Sequence, residues 1–95
     1  MKEPFNLKNR QIKKLLELLV SVDNTEDCKN LLLDLCSPAE IKSLADRWEV
    51  ARLISDGKSY RNIAEKTKTS TATITRVGRS IKYGFGGYAL ALSNN

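Results

Sequence analysis

The chain has no histidine among its 95 residues. That absence removes the usual general base near neutral pH, the commonest metal ligand and the physiological pH switch. Cysteine is scarce too. Cys28 and Cys36 are the only two, and they do not form a C-x-x-C pair. On one helix they would stand ~12 Å apart along its axis, beyond the ~7 Å Cα separation that a disulfide tolerates. They read as plain buried thiols, and neither an enzyme nor a redox function of these cysteines is expected. Two prolines and five glycines leave few breaks in secondary structure. No apolar run approaches the ~20 residues of a membrane span. Met1-Lys2-Glu3-Pro4-Phe5-Asn6 lacks the charged-then-apolar pattern of a secretory signal. The expectation is a cytoplasmic protein with no membrane partner and no cofactor, folded as a single domain over 1–95.

Charge is present but unevenly spread. Residues 58–82 hold seven basic side chains (Lys58, Arg61, Lys66, Lys68, Arg76, Arg79 and Lys82) against one acid, Glu65. Residues 1–57 carry nine basic and ten acidic side chains, and residues 83–95 carry none. The net charge of +5 therefore comes from one 25-residue stretch. A basic cluster confined to one part of a domain is the electrostatic footprint of a polyanion partner.

The chain reads as helices throughout. From Asn6 to Val22, Ile12, Leu15, Leu16, Leu19 and Val22 recur at helical spacing, and Leu18 and Val20 widen the face. Asn24 or Thr25 can cap a second helix, with Glu26 and Asp27 in its first turn, where the helix dipole favours acids. Its stripe is Cys28, Leu31, Leu32 and Leu35. Ser37-Pro38-Ala39-Glu40 opens a third helix with an N-cap, a proline at the first position and a capping-box glutamate. Ile41, Leu44, Ala45, Trp48 and Ala51 line one side of it, and Val50, Leu53 and Ile54 the other. Asp56-Gly57 stops it. The first three helices, within 1–57, carry more apolar surface than one short chain can cover. They are assigned to dimerisation, with a second copy as the partner.

Residues 58–82 form a helix-turn-helix. Ser59 can cap a helix from Tyr60 to Lys66, Thr67-Lys68-Thr69 turns, and Ser70 or Thr71 can cap a helix to about Lys82. Ile63, Thr67, Ile74 and Val77 face the shared core, and Ala64 is small where the helices cross. Lys68 stands near the left-handed position of the turn, where a side chain costs ~1 kcal/mol. In this architecture the start of the second helix enters the major groove of double-stranded DNA. Thr71, Ala72, Thr75, Arg76 and Arg79 project there. Arginine can donate two hydrogen bonds to guanine, and the methyls of threonine and alanine can touch thymine. Arg61 can reach a base or a phosphate. Lys58, Lys66, Lys68 and Lys82 suit phosphates, which give affinity without sequence information. The alternative is a protein-interaction module built on a degenerate helix-turn-helix.

Ala72-Thr73-Ile74-Thr75-Arg76, then Arg79-Ser80-Ile81-Lys82, together with Ser37-Pro38 and Arg47, resemble the tryptophan-repressor family, and within it the repressor-like YerC/YecD type. The resemblance implies an all-α fold of six helices, an intertwined homodimer and a transcription regulator, a repressor, reading inverted half-sites. It implies that the 83–95 segment holds a short sixth helix entered through glycines. It also implies an effector pocket from Ser37, Arg47, Thr73, Arg76 and Ser80. Val77 stands where the family has the glycine that makes room for tryptophan. Three extra carbons there would overfill a packed site, so the regulator is expected to need no corepressor or to use an effector other than tryptophan.

Overall fold

The computed structural model describes residues 9–95. These hold six α-helices and no strand: α1 (Arg10–Ser21), α2 (Thr25–Leu35), α3 (Pro38–Ser55), α4 (Tyr60–Thr67), α5 (Thr71–Tyr83) and α6 (Gly87–Ser93). The sequence reading starts the first helix at Asn6, and residues 6–8 lie outside the described residues. Two compact units divide the chain between residues 41 and 42, within α3.

In the first unit, helix starts follow local chemistry. Asn9 Oδ1 accepts hydrogen bonds from the Gln11 and Ile12 amides, at 3.0 and 3.2 Å, and so caps α1. Asn24, rather than Thr25, caps α2 by accepting from the Asp27 amide at 2.9 Å. At the start of α3 the capping box is complete. The Ser37 amide donates to Glu40 Oε1 at 2.7 Å, and the Glu40 amide donates to Ser37 Oγ at 3.2 Å. Hydrogen bonding to Ser37, through its backbone amide foremost and its side chain next, holds the Glu40 carboxyl below the usual carboxylate range.

No residue of α1 or α2 is buried. Leu15, Leu16 and Leu18 are each 41% exposed and Val20 84%. The expected burial of both cysteines is corrected here: Cys36 is half-buried, but Cys28 is exposed. Cys28 sits on the apolar stripe of α2 and lines an open, largely apolar groove of about 610 Å³ with Val22, Leu32, Leu33 and Ile41. The described residues leave this part of the stripe uncovered, and the thiol with it.

The second unit holds every buried apolar side chain of the described residues: Val50, Ala51, Leu53, Ile63, Ile74 and Val77. Trp48, Ile54, Ala64, Ile81 and Tyr88 pack around them. Thus α3 enters the core by its last two turns, whereas Leu44 and Ala45, on its expected apolar face, are exposed. A Schellman motif ends α3. The Lys58 amide donates to Leu53 O at 3.1 Å and the Gly57 amide to Ile54 O at 3.0 Å. Gly57 has φ +84°, which glycine adopts without strain. Packing continues from α4 to α5 and from α5 to α6. The glycine entry to α6 takes the form of Gly86 at φ +87°.

Candidate nucleic-acid interface

The candidate interface is built on α4, α5 and the three residues between them. Ser59 caps α4 by accepting from the Asn62 amide at 3.1 Å. The helix ends at Thr67, whose hydroxyl donates to Ile63 O at 2.7 Å and accepts from the Thr69 amide at 3.2 Å. This pair of bonds ties the turn to the last turn of α4. Lys68 then takes the left-handed conformation, φ 59° and ψ 21°, and its amide donates to Ala64 O at 3.0 Å. The turn residue that a glycine would occupy freely is therefore a lysine, as its position suggests. Ser70 caps α5 through the Thr73 amide at 3.2 Å, and its hydroxyl lies 3.0 Å from Thr73 Oγ1.

Helical spacing sorts the residues of α5 into two faces. Ile74, Val77 and Gly78 are buried, and Ile74 and Val77 meet Ile63 of α4 in the core. Thr71, Ala72, Thr75, Arg76, Arg79 and Lys82 are exposed. Five side chains of α5 (Ala72, Thr75, Arg76, Arg79 and Ser80) line one shallow depression of about 460 Å³. It presents two guanidinium groups and two hydroxyls on a rigid, core-backed helix. Neither Arg76 nor Arg79 has a carboxylate partner among the described residues, where the ion pairs are Glu26–Lys29, Lys42–Asp46, Glu49–Arg52 and Arg61–Glu65. Both guanidinium groups are thus open to an external acceptor. Arg61 is 91% exposed on its side chain, with Glu65 at 3.6 Å. Lys58, Lys66 and Lys68 are exposed as well.

The effector candidates are spread over α3, with its cap, and α5. Arg76 and Ser80 share the depression on α5. Half-buried Thr73 has its hydroxyl beside Ser70. Ser37 is occupied in the capping box of α3, and Arg47 is an exposed residue of that helix. Val77 is 2% exposed and is filled into the core.

Sequence reasoning missed one contact in this unit. Gly78 lies in mid-helix with no positive φ. A Cβ there would overlap Tyr60 Oη and stand 3.1 Å from Tyr60 Cζ and 3.7 Å from Ile54 Cδ1. Ala64 was the expected point of close approach, and it is half-buried against the core, but the notch that admits a neighbour is Gly78. A lone glycine inside a helical pattern was the available signal.

Comparison with known proteins gives a consistent result. The sequence profile of the Trp repressor protein family matches residues 10–95. The uncharacterized protein YerC of Bacillus subtilis (strain 168) is 41% identical over 86 residues, covering 90% of this chain and 83% of YerC. A TrpR-like protein from Eubacterium eligens superposes with a TM-score of 0.88 at 38% identity, over 93% of this chain and 91% of that one. A candidate Trp repressor from Staphylococcus aureus does so with a TM-score of 0.87 at 32% identity, over 95% and 93%. Profile, sequence relative and shared six-helix architecture agree, and the chain belongs to the Trp repressor family.

Proposed function

We propose that this chain is a sequence-specific DNA-binding transcription regulator, a repressor, acting in the cytoplasm as a homodimer on inverted half-sites. The observation that carries this reading is the exposed face of α5. It brings Ala72, Thr75, Arg76 and Arg79 together, with no carboxylate partner for either arginine among the described residues. Guanine edges and thymine methyls in the major groove are what such a face can read. Thr71 at the helix start extends it, and Arg61, Lys68 and Lys82 supply contacts to phosphates around it. Two such helices would lie ~34–36 Å apart, or a multiple of that, as in other helix-turn-helix dimers.

The work divides along the chain. Residues 1–57 supply the dimer contacts, 58–82 read DNA and 83–95 brace the reading helix. The uncovered leucines of α1 and the groove beside α2 favour a second copy as their cover. Val77, committed to the core, favours a regulator that needs no tryptophan. Such a chain represses by occupying its operator, with no catalytic step.

Selection from random duplex DNA at physiological salt, without added ligand, tests the proposal. Enrichment of an inverted repeat is the expected result. Absence of enrichment, with equal affinity for duplex DNA and other polyanions, would instead favour a protein-interaction module. On the selected site, Arg76→Ala is expected to lose ~1–3 kcal/mol and relax base preference, whereas Lys82→Ala weakens binding to all sequences and lowers the salt slope by about one.

A further inference from the structure

We propose that Tyr60 is a positioning residue for base reading: its phenol, seated over the bare Cα of Gly78, sets the angle at which α5 is presented. The inference rests on the DNA-reading role proposed for α5.

The backbone does not demand glycine at position 78, because φ there is ordinary for a helix. Space demands it. Any Cβ at this buried position would run into the phenol of Tyr60. Tyr60 is the first residue of α4, and Gly78 lies past the middle of α5. Measured from the turn at Lys68–Ser70, Tyr60 is ~12 Å back along one helix, and Gly78 is ~12 Å out along the other. The phenol therefore meets α5 at Gly78, away from that turn. Between these points Ile63, Ile74 and Val77 pack the two helices together. Apolar packing is non-directional and permits small slides. A ring butted against backbone at the far end removes that freedom.

The effect falls on specificity because of where the strut stands. Arg76 and Arg79 flank Gly78 on α5, so a change in tilt moves both guanidinium groups. Base-edge hydrogen bonds hold over only a few tenths of an ångström. The lysines of this unit are flexible point charges and follow phosphates through such a shift. Tyr60 is 43% exposed, so an added Cβ can push the ring outward without dismantling the core.

The test measures binding to the operator selected by the wild-type chain and to random duplex of equal length, across a salt series. Gly78→Ala is expected to lower the ratio of specific to non-specific affinity about tenfold, with non-specific affinity and salt slope unchanged. Tyr60→Phe in the Gly78→Ala chain, which removes the overlapping hydroxyl, should restore most of the ratio. Tyr60→Ala in the otherwise wild-type chain removes the strut without touching α5 and should lower the ratio similarly. It decides the matter if Gly78→Ala does not fold. A selective wild type whose Gly78→Ala and Tyr60→Ala variants keep its ratio overturns the strut alone, as does a lack of rescue by Tyr60→Phe. A wild type that prefers no sequence overturns the DNA-reading role, and the strut with it.

Discussion

The two units of this chain solve the problem of apolar surface in opposite ways. Residues 42–95 contain all the buried apolar side chains of the described chain, drawn from α3, α4 and α5. Helices α1 and α2 contain none, although α1 is strongly amphipathic and leucine-rich. Amphipathic helices normally gain most of their stability from packing their apolar face. The second unit has that packing within one chain. The first displays an apolar face that the described residues leave largely exposed. On the proposed homodimer, the difference separates what one chain stabilises alone from what depends on assembly.

Substitutions can break or sharpen that contrast. The largest effect is expected from Leu15→Glu combined with Leu19→Glu. Each leucine is worth about 1.5–3 kcal/mol when buried, and a two-fold interface counts each twice. The pair should leave the chain monomeric in sedimentation and abolish the concentration dependence of its Tm. A wild-type chain that is already monomeric at micromolar concentration would end the argument for assembly through α1. Next comes Ile74→Ala. Ile74 is fully buried, and its truncation should lose about 2–5 kcal/mol in thermal unfolding, with self-association at moderate temperature retained.

Smaller effects are expected at the ends of helices. Ser37→Ala removes the cap of α3 and should cost about 0.5–2 kcal/mol. The same capping box predicts a pH dependence. Because folding holds the Glu40 carboxyl below its unfolded pKa, its contribution is present above that unfolded pKa. It is lost as pH falls through the lower, folded value. Glu40→Gln should therefore flatten part of the acid limb of a Tm–pH curve, and an unchanged limb would count against the reciprocal bond. The smallest change expected is from Lys68→Gly. It relieves a left-handed backbone worth ~1 kcal/mol, partly offset by the greater freedom of glycine in the unfolded chain. Tm should rise slightly while the salt slope for DNA falls by about one.

Legibility from sequence followed the range of the interactions. Caps are local, so Ser37 and Ser59 stood out by residue type and position and the cap of α5 was narrowed to Ser70 or Thr71; the structure shows Ser37, Ser59 and Ser70 in that role. The core contributions of Ile63, Ile74 and Val77 follow from helical period alone. Lys68 was legible because a three-residue turn leaves few places for a left-handed residue. The Tyr60–Gly78 contact was not, since it joins residues 18 apart on different helices, and nothing in local period reports which ring fills which notch. Cys28 misled for the same reason in reverse. Its period marks an apolar stripe, but not whether the same chain supplies a cover. Five of the candidate site residues form one depression because they share one helix face. The effector set, carried over from a resemblance, has no such common element.

The bare face of α1 also bears on dosage. On the proposed homodimer, two chains must meet before either hides its leucines. At concentrations where single chains predominate, the population competent to occupy an operator grows as the square of the amount made. A modest fall in synthesis then empties the operator more steeply than a monomeric repressor would. Unpaired chains, with Leu15, Leu16 and Val20 open to solvent, would meanwhile be the form most exposed to proteolysis, steepening that fall further.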